Sequence, residues 1–177
     1  MGTRRRPDKA KLIIGLFFTD VEKYYSVKNR LAKLFGEVDF ESELLDFKHT
    51  SYYEKEMGSC LKRVILSFKR LRDLKDIGGV KIRTNRIEKQ HSKADKRTIN
   101  IDPGYLDLAK LVLFSTKDYT HRIYLDKGIY AEVTLFYKDN AFNPWPWTYP
   151  DYKSAEYLNI FGSIRRVYKE QMADLCR

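Results

Sequence analysis

Cysteine, long apolar runs and internal repeats are what this chain has least of. Its two cysteines, Cys60 and Cys176, stand among 177 residues. They are too few and too far apart for a disulfide framework or a metal-ligand spacing. Both read as reduced thiols in or near packed surfaces, where free cysteine behaves as a small hydrophobe. The longest apolar run, residues 12–18, is interrupted by Gly15 and falls well short of the ~18 residues a membrane span needs. The basic start, Arg4-Arg5-Arg6, is followed by no small-residue cleavage site; a signal peptide is not expected, and a cytoplasmic location is. No Gly-x4-Gly-Lys-Ser/Thr loop occurs anywhere, which excludes a P-loop GTPase.

What is present is globular. Hydrophobic residues make up 43% and aromatics 14%, a composition that supports one conventional core. The length predicts a single domain over residues 1–177, with residues 1–9 flexible. The net charge of +10 is unevenly placed. Residues 62–97 carry thirteen basic and four acidic side chains, whereas residues 37–56 carry seven acids and two lysines. A positive side of this kind attracts phosphate or nucleic acid, or serves as a solvated face that aids solubility.

Hydrophobic periodicity supplies the elements. The run beginning at Lys11 is apolar on both faces and predicts a buried central strand. Thr19 or Asp20 caps a helix carrying Val21, Tyr24, Tyr25, Leu31, Leu34 and Phe35 on one stripe, stopped at Gly36. Residues 37–41 alternate as a half-exposed strand, and residues 42–59 read as a long loop with a short strand inside. A strand is expected at 63–69, then a helix with Val80, Thr84, Ile87 and His91 on one face, then a strand ending at a Pro103-Gly104 turn. Three further strands, at 109–116, 120–125 and 129–137, form a β-meander, and Ser154 caps a long final helix. The fold class is α+β, a ferredoxin-like β-α-β-β-α-β core extended by the C-terminal antiparallel meander and that helix.

The meander puts particular residues side by side. A three-residue hairpin loop with Gly128 in the left-handed position pairs Tyr124 with Tyr130, Ile123 with Ala131 and Arg122 with Glu132. Tyr124 and Thr134 then share a polar strip with Arg122 and Glu132, and His121 falls on the apolar face. The Arg122–Glu132 pair is a cross-strand ion pair or part of a phosphate platform.

Other candidates follow from residue type. Asn100 and Asp102 lie on one side of their strand at its end, where they cap a turn or serve a site. Asp102, Asp118, His121 and Glu132 are the candidate catalytic set, with no spacing diagnostic of a metal. Lys117 follows an apolar strand, and Lys81 and Asn85 share a helical face, as do Arg83 and Arg86. The aromatic run containing Trp147, Tyr149, Asp151 and Tyr152 is held extended by prolines, free to stack on bases or to pin a loop onto the core. Tyr52-Tyr53-Glu54 carries the same two readings.

Several of these words together are familiar: Asn100-Ile-Asp-Pro-Gly-Tyr, His121-Arg-Ile-Tyr-Leu, Gly128-Ile-Tyr-Ala-Glu-Val-Thr-Leu and Trp147-Thr-Tyr-Pro-Asp-Tyr. With Tyr52-Tyr-x-x-Glu-Met-Gly, Lys81-x-x-Thr-Asn and Thr116-Lys-Asp, they resemble the prokaryotic domain-of-unknown-function family 4416 over nearly the whole chain. The resemblance implies a prokaryotic cytoplasmic protein and no assigned activity. Members are often labelled GTP-binding protein, a label that no phosphate loop in this chain supports.

Three functions compete. The first is a binding domain for a nucleotide, GTP among the candidates, or for another phosphorylated ligand, with Lys81, Asn85, Asn100, Lys117 and Arg122 as contacts and Tyr124, Thr134, Trp147, Tyr149, Asp151 and Tyr152 nearby. The second is a phosphoester or nucleotide-processing hydrolase built on Asp102, Asp118, His121 and Glu132. The third is an interaction subunit, an oligomer or an RNA-binding module. The cofactor is unknown from sequence, and no membrane partner is expected.

Overall fold

The computed structural model describes residues 2–46, 57, 60–92 and 96–175. A strand apolar on both faces must sit inside a sheet, and β1 (Lys11–Phe18) does so, with every residue buried. It pairs antiparallel with β4 (Lys62–Phe68) on one side and with β5 (Ile99–Leu106) on the other. Around this centre β2 (Val38–Glu41), β3 (Leu45–Asp46), β6 (Lys110–Ser115), β7 (Ile123–Asp126), β8 (Ile129–Lys138) and β9 (Ala141–Pro144) complete one antiparallel sheet. Its order is β2-β4-β1-β5-β6-β8-β7, with β3 added to β4 and β9 to β8.

Three α-helices among the described residues cover the sheet: α1 (Val21–Phe35), α2 (Gly79–Gln90) and α3 (Ala155–Leu175). Alternation sends Leu12, Ile14, Leu16 and Phe18 to one face, where they meet Tyr24, Val27, Leu31 and Phe35 of α1 and Val80 and Ile87 of α2. Ile13, Ile65, Leu106, Leu111, Leu113 and Leu135 point to the other face and pack on Tyr157, Phe161, Ile164 and Tyr168 of α3. The fold is thus mixed α+β with helices on both faces of a large antiparallel sheet. The expected caps are present. Asp20 accepts from Lys23 N at 3.1 Å, and Ser154 Oγ accepts from Tyr157 N at 3.3 Å.

Five local expectations are corrected. The α1 stripe includes Val27 and leaves Val21, Tyr25 and Leu34 exposed. Pro103-Gly104 makes no turn, and β5 runs straight through both residues. Strand alternation points the Pro103 nitrogen away from β1, toward the side where β5 lacks a partner, so its missing N–H breaks no ladder. The three C-terminal strands are not a simple meander, because β8 lies between β6 and β7. The long apolar β8 takes the ladder beside β6, and short β7 is left at the edge. The β7–β8 loop has two residues, Lys127 and Gly128, both at positive φ, and the register shifts past Tyr124. Finally, Asp139 and Asn140, also at positive φ, turn the chain into β9, which sequence periodicity does not announce. The segment 42–59 is described only to Asp46 and at Met57, so the Tyr52 motif lies outside the described residues, as does Cys176.

At Gly104 β5 and β6 approach closely. A Cβ there would lie 2.2 Å from Val112 O and 3.2 Å from Leu113 Cα, so backbone must move. Gly104→Ala is expected to destabilise by roughly 1–3 kcal/mol, read as a fall in Tm of about 2–10 °C. A variant melting within a degree of the parent would show that the two strands do not approach this closely.

Candidate functional site

β5 pairs with β1 along its full length but with β6 only from Gly104 to Leu106. Before Gly104 the two strands part and the sheet opens. Backbone groups exposed in such a gap need partners, and α2 supplies them. Glu88 accepts from Ile101 N, and Lys81 Nζ donates to Ile101 O at 3.0 Å. Both side chains are buried, and burial raises the Glu88 pKa against the opposing pull of Lys81 and the Ile101 N–H. The result is a cleft of about 490 Å³ inside the sheet, lined by β5, the end of β6, β8 and the segment before α3.

Beneath it lies Arg63, on β4 and 1% exposed. Its Nη1 donates to Asp151 at 2.9 Å and its Nη2 to the Tyr152 hydroxyl at 2.5 Å, while Nε has no partner among the described residues. The guanidinium also lies 4.0 Å from the Phe17 ring centroid and 4.9 Å from that of Tyr152. Gly15 makes room for it, since a Cβ there would stand 2.7 Å from Nη2. Burial alone would lower the Arg63 pKa, but Tyr152, Tyr157, Asp151 and Asp102 together hold it above its ordinary value. Burial also pushes Tyr152 well up and Tyr157 to about 12, in each case against the nearby arginine.

Arg122 and Glu132 meet as the hairpin register predicts, although β7 begins one residue later. Arg122 Nε donates to Glu132 Oε2 at 2.7 Å, and Nη1 reaches Ser115 Oγ at 2.8 Å and Lys117 O at 3.1 Å. Its Nη2 donates to the Tyr149 hydroxyl at 3.3 Å, and the Tyr119 ring stacks at 4.6 Å. His121 leaves the expected apolar face, because it lies in the turn before β7; its Nε2 stands 3.1 Å from the same Glu132 oxygen. Thr134 donates to Glu132 Oε1 at 3.2 Å. Glu132 thus joins Arg122, His121 and Thr134 in one cluster.

On the β5 wall, Asn100 donates to Asp102 at 2.8 Å and accepts from Arg97 at 2.7 Å, while Lys81 Nζ lies 3.6 Å from Asp102. The structure thus gathers Lys81, Asn100, Asp102, Lys117, Arg122, Glu132, Tyr149, Asp151 and Tyr152 around one cleft. It does not place Asn85, Asp118, His121, Tyr124, Thr134 or Trp147 on the cleft lining. Asp118 and Tyr124 are exposed, and Asn85 is half-buried on α2. Trp147 stacks on His121 at 5.7 Å and on Trp145 at 5.1 Å, and its Nε1 donates to Val133 O at 3.2 Å, which pins the strap before α3 to the edge of β8. The four-residue catalytic set is accordingly split, with Asp102 and Glu132 on the lining and Asp118 and His121 off it. Among the described residues no three His, Cys, Asp or Glu side chains are grouped to hold a metal ion.

Sequence reasoning missed Arg63, Arg97 and Tyr119. Arg63 carried a partial signal, as a charge next to Lys62 at the start of an otherwise largely apolar strand. Among the described residues of the lining, Arg63, Lys81, Arg97, Lys117 and Arg122 stand with Asp102, Glu132 and Asp151, five cations against three carboxylates, a surplus of two. Low-dielectric walls around such a surplus draw anions.

No helix among the described residues is long and apolar enough to cross a membrane. A sequence profile for the family described as domain of unknown function (DUF4416) matches residues 8–168, and the chain belongs to that family. No curated protein and no solved structure matches the chain.

Proposed function

We propose that this member of the DUF4416 family binds a phosphorylated small molecule, a nucleotide foremost, in the cleft where β5 and β6 part. One observation carries the reading: a cleft of about 490 Å³ with five cationic and three anionic side chains in its lining. That size is ordinary for a small-molecule site, typically about 300–1,000 Å³, and the charge surplus selects an anion. Lys81 and Lys117 are the phosphate contacts, with Arg63 supplying positive potential from beneath the floor. Tyr119 and Tyr149, each 47% exposed, offer rings at the mouth. GTP stays among the nucleotide candidates, bound without a P-loop. We read the protein as cytoplasmic; an exposed free thiol at Cys60 suits a reducing compartment.

The strand order β2-β4-β1-β5, with α1 and α2 packed on one face, supports reading the first six major elements as a ferredoxin-like unit. In that reading β6 to β9 and α3 are the addition that creates the cleft.

Thermal denaturation tests the function. A phosphorylated ligand at a hundred times its dissociation constant stabilises by about 2.7 kcal/mol, or roughly 5–10 °C for a chain of this size. We expect such a shift from nucleotides and none from the corresponding nucleosides. Absence of any shift with nucleotides, sugar phosphates and inorganic phosphate alike would remove the reading.

A further inference from the structure

We infer that the outer surface of α1 and α2 docks the phosphate backbone of a nucleic-acid duplex without reading its bases. This surface is separate from the cleft, and the inference stands or falls independently of what the cleft binds.

Packing places the two helices together. Both lay their apolar stripes on the same side of the sheet, α1 through Tyr24, Val27, Leu31 and Phe35 and α2 through Val80 and Ile87. The beginning of each lies near the end of the other. His91, which ends α2, has its pKa lowered by burial and then by Lys23 and Arg30 of α1. At the opposite end Arg72 donates to Phe35 O, on the last residue of α1, at 2.7 Å. Burial lowers the Arg72 pKa, and Arg70 and Arg83 of α2 lower it further. Helical spacing therefore turns Lys23 and Arg30 of α1 toward α2, and Arg83 and Arg86 of α2 toward α1.

Charge on this surface has one sign. Arg30, Lys33, Arg70, Arg83, Arg86 and Lys89 are exposed, and none has a carboxylate partner among the described residues. The one acid within α1 is Glu22, and the one acid within α2, Glu88, is buried and turned to Ile101. Like charges gathered this way repel one another, and a row of phosphates relieves the repulsion.

Shape selects the duplex. Two helices packed side by side present a face roughly 20 Å broad, too wide to enter a major groove of about 12 Å. Such a face lies across the backbone, where contacts position the protein but carry no sequence information. Single-strand sites add aromatic rings for bases to stack on. The one exposed ring of the two helices, Tyr25, lies two residues from Lys23 and so on the flank of α1 turned from α2. An anionic membrane surface fits less well, because the apolar stripes of both helices are already covered by the sheet.

The test is fluorescence anisotropy of the full chain with a labelled 20-base-pair RNA duplex, the DNA duplex of the same sequence and one RNA strand alone. Both duplexes should bind, and the single strand about tenfold more weakly, since its charge density is lower and no stacking platform is present. With four phosphates engaged, log K falls against log salt with a slope of about −3.6, or about 150-fold from 50 to 200 mM. Arg30→Gln/Arg83→Gln/Arg86→Gln should reduce that slope by about 2 to 3 and weaken binding at 50 mM salt by about tenfold or more. The charge-matched control Lys138→Gln/Arg166→Gln/Lys169→Gln, at the end of β8 and on α3, should stay within about threefold of the parent. All six residues are exposed, so both variants should keep the parent Tm within about 2 °C. Equal losses in the two variants would reduce the effect to net charge and overturn the inference. So would single-strand binding as tight as duplex binding, tighter binding to phosphatidylserine vesicles than to duplex, or no binding of either duplex at 50 mM salt.

Discussion

Replacing Arg63 with methionine should destabilise the protein by about 3–5 kcal/mol. The buried guanidinium is the counter-charge of Asp151, which is 5% exposed. Removing one partner of a buried pair strands the other. Tyr152 loses its hydrogen bond at the same time. In urea the midpoint should fall with little change in slope, and Tm should drop by roughly 6–20 °C. The double variant Arg63→Met with Asp151→Leu should recover most of the loss, because an apolar pair of similar bulk carries no desolvation penalty. Arg63→Lys should recover little, since one ammonium cannot reproduce the fork that spans Asp151 and Tyr152. A loss below about 1 kcal/mol in the single variant would mean that Asp151 is hydrated and that the cleft floor is not closed as described.

Glu132→Ala should cost a similar 3–5 kcal/mol. Its carboxylate is buried beside the equally buried side chain of Arg122, and it also receives Thr134 and faces His121. Without it Arg122 keeps hydrogen bonds to Ser115 and the Lys117 carbonyl but has no anion. Pairing the change with Arg122→Leu should restore much of the stability, and a double-mutant cycle should give a coupling of about 1–3 kcal/mol. Additive losses in that cycle would show that the two side chains do not depend on each other.

Local signals in the chain mark the elements well and the cleft only in part. The apolar run of β1, the Asp20 and Ser154 caps and the alternation of β8 each act within a few residues, and each is legible. So is the opposition of Arg122 and Glu132, because a short hairpin leaves few registers to choose from. The sheet opening is a different kind of feature. It arises where β6 parts from β5 and α2 takes up the freed backbone of Ile101, and contacts between residues so far apart in sequence leave no periodic trace. Arg63 shows in the sequence only as a charge opening a largely apolar strand, since its burial depends on Asp151 and Tyr152, 88 and 89 residues away. The place of β8 between β6 and β7 likewise joins strands that are not successive in the chain. The Asp139-Asn140 turn into β9 was local and readable, as a pair of residues that tolerate left-handed backbone.

The central claim concerns where a phosphorylated ligand goes, and amide chemical-shift mapping tests it most directly. On titration with AMP, the largest perturbations should fall at residues 100–102, 115–119 and 149–152, which border the cleft. Perturbations confined instead to the exposed basic side of α2, around Arg83, Arg86 and Lys89, or no perturbation at saturating ligand, would contradict it.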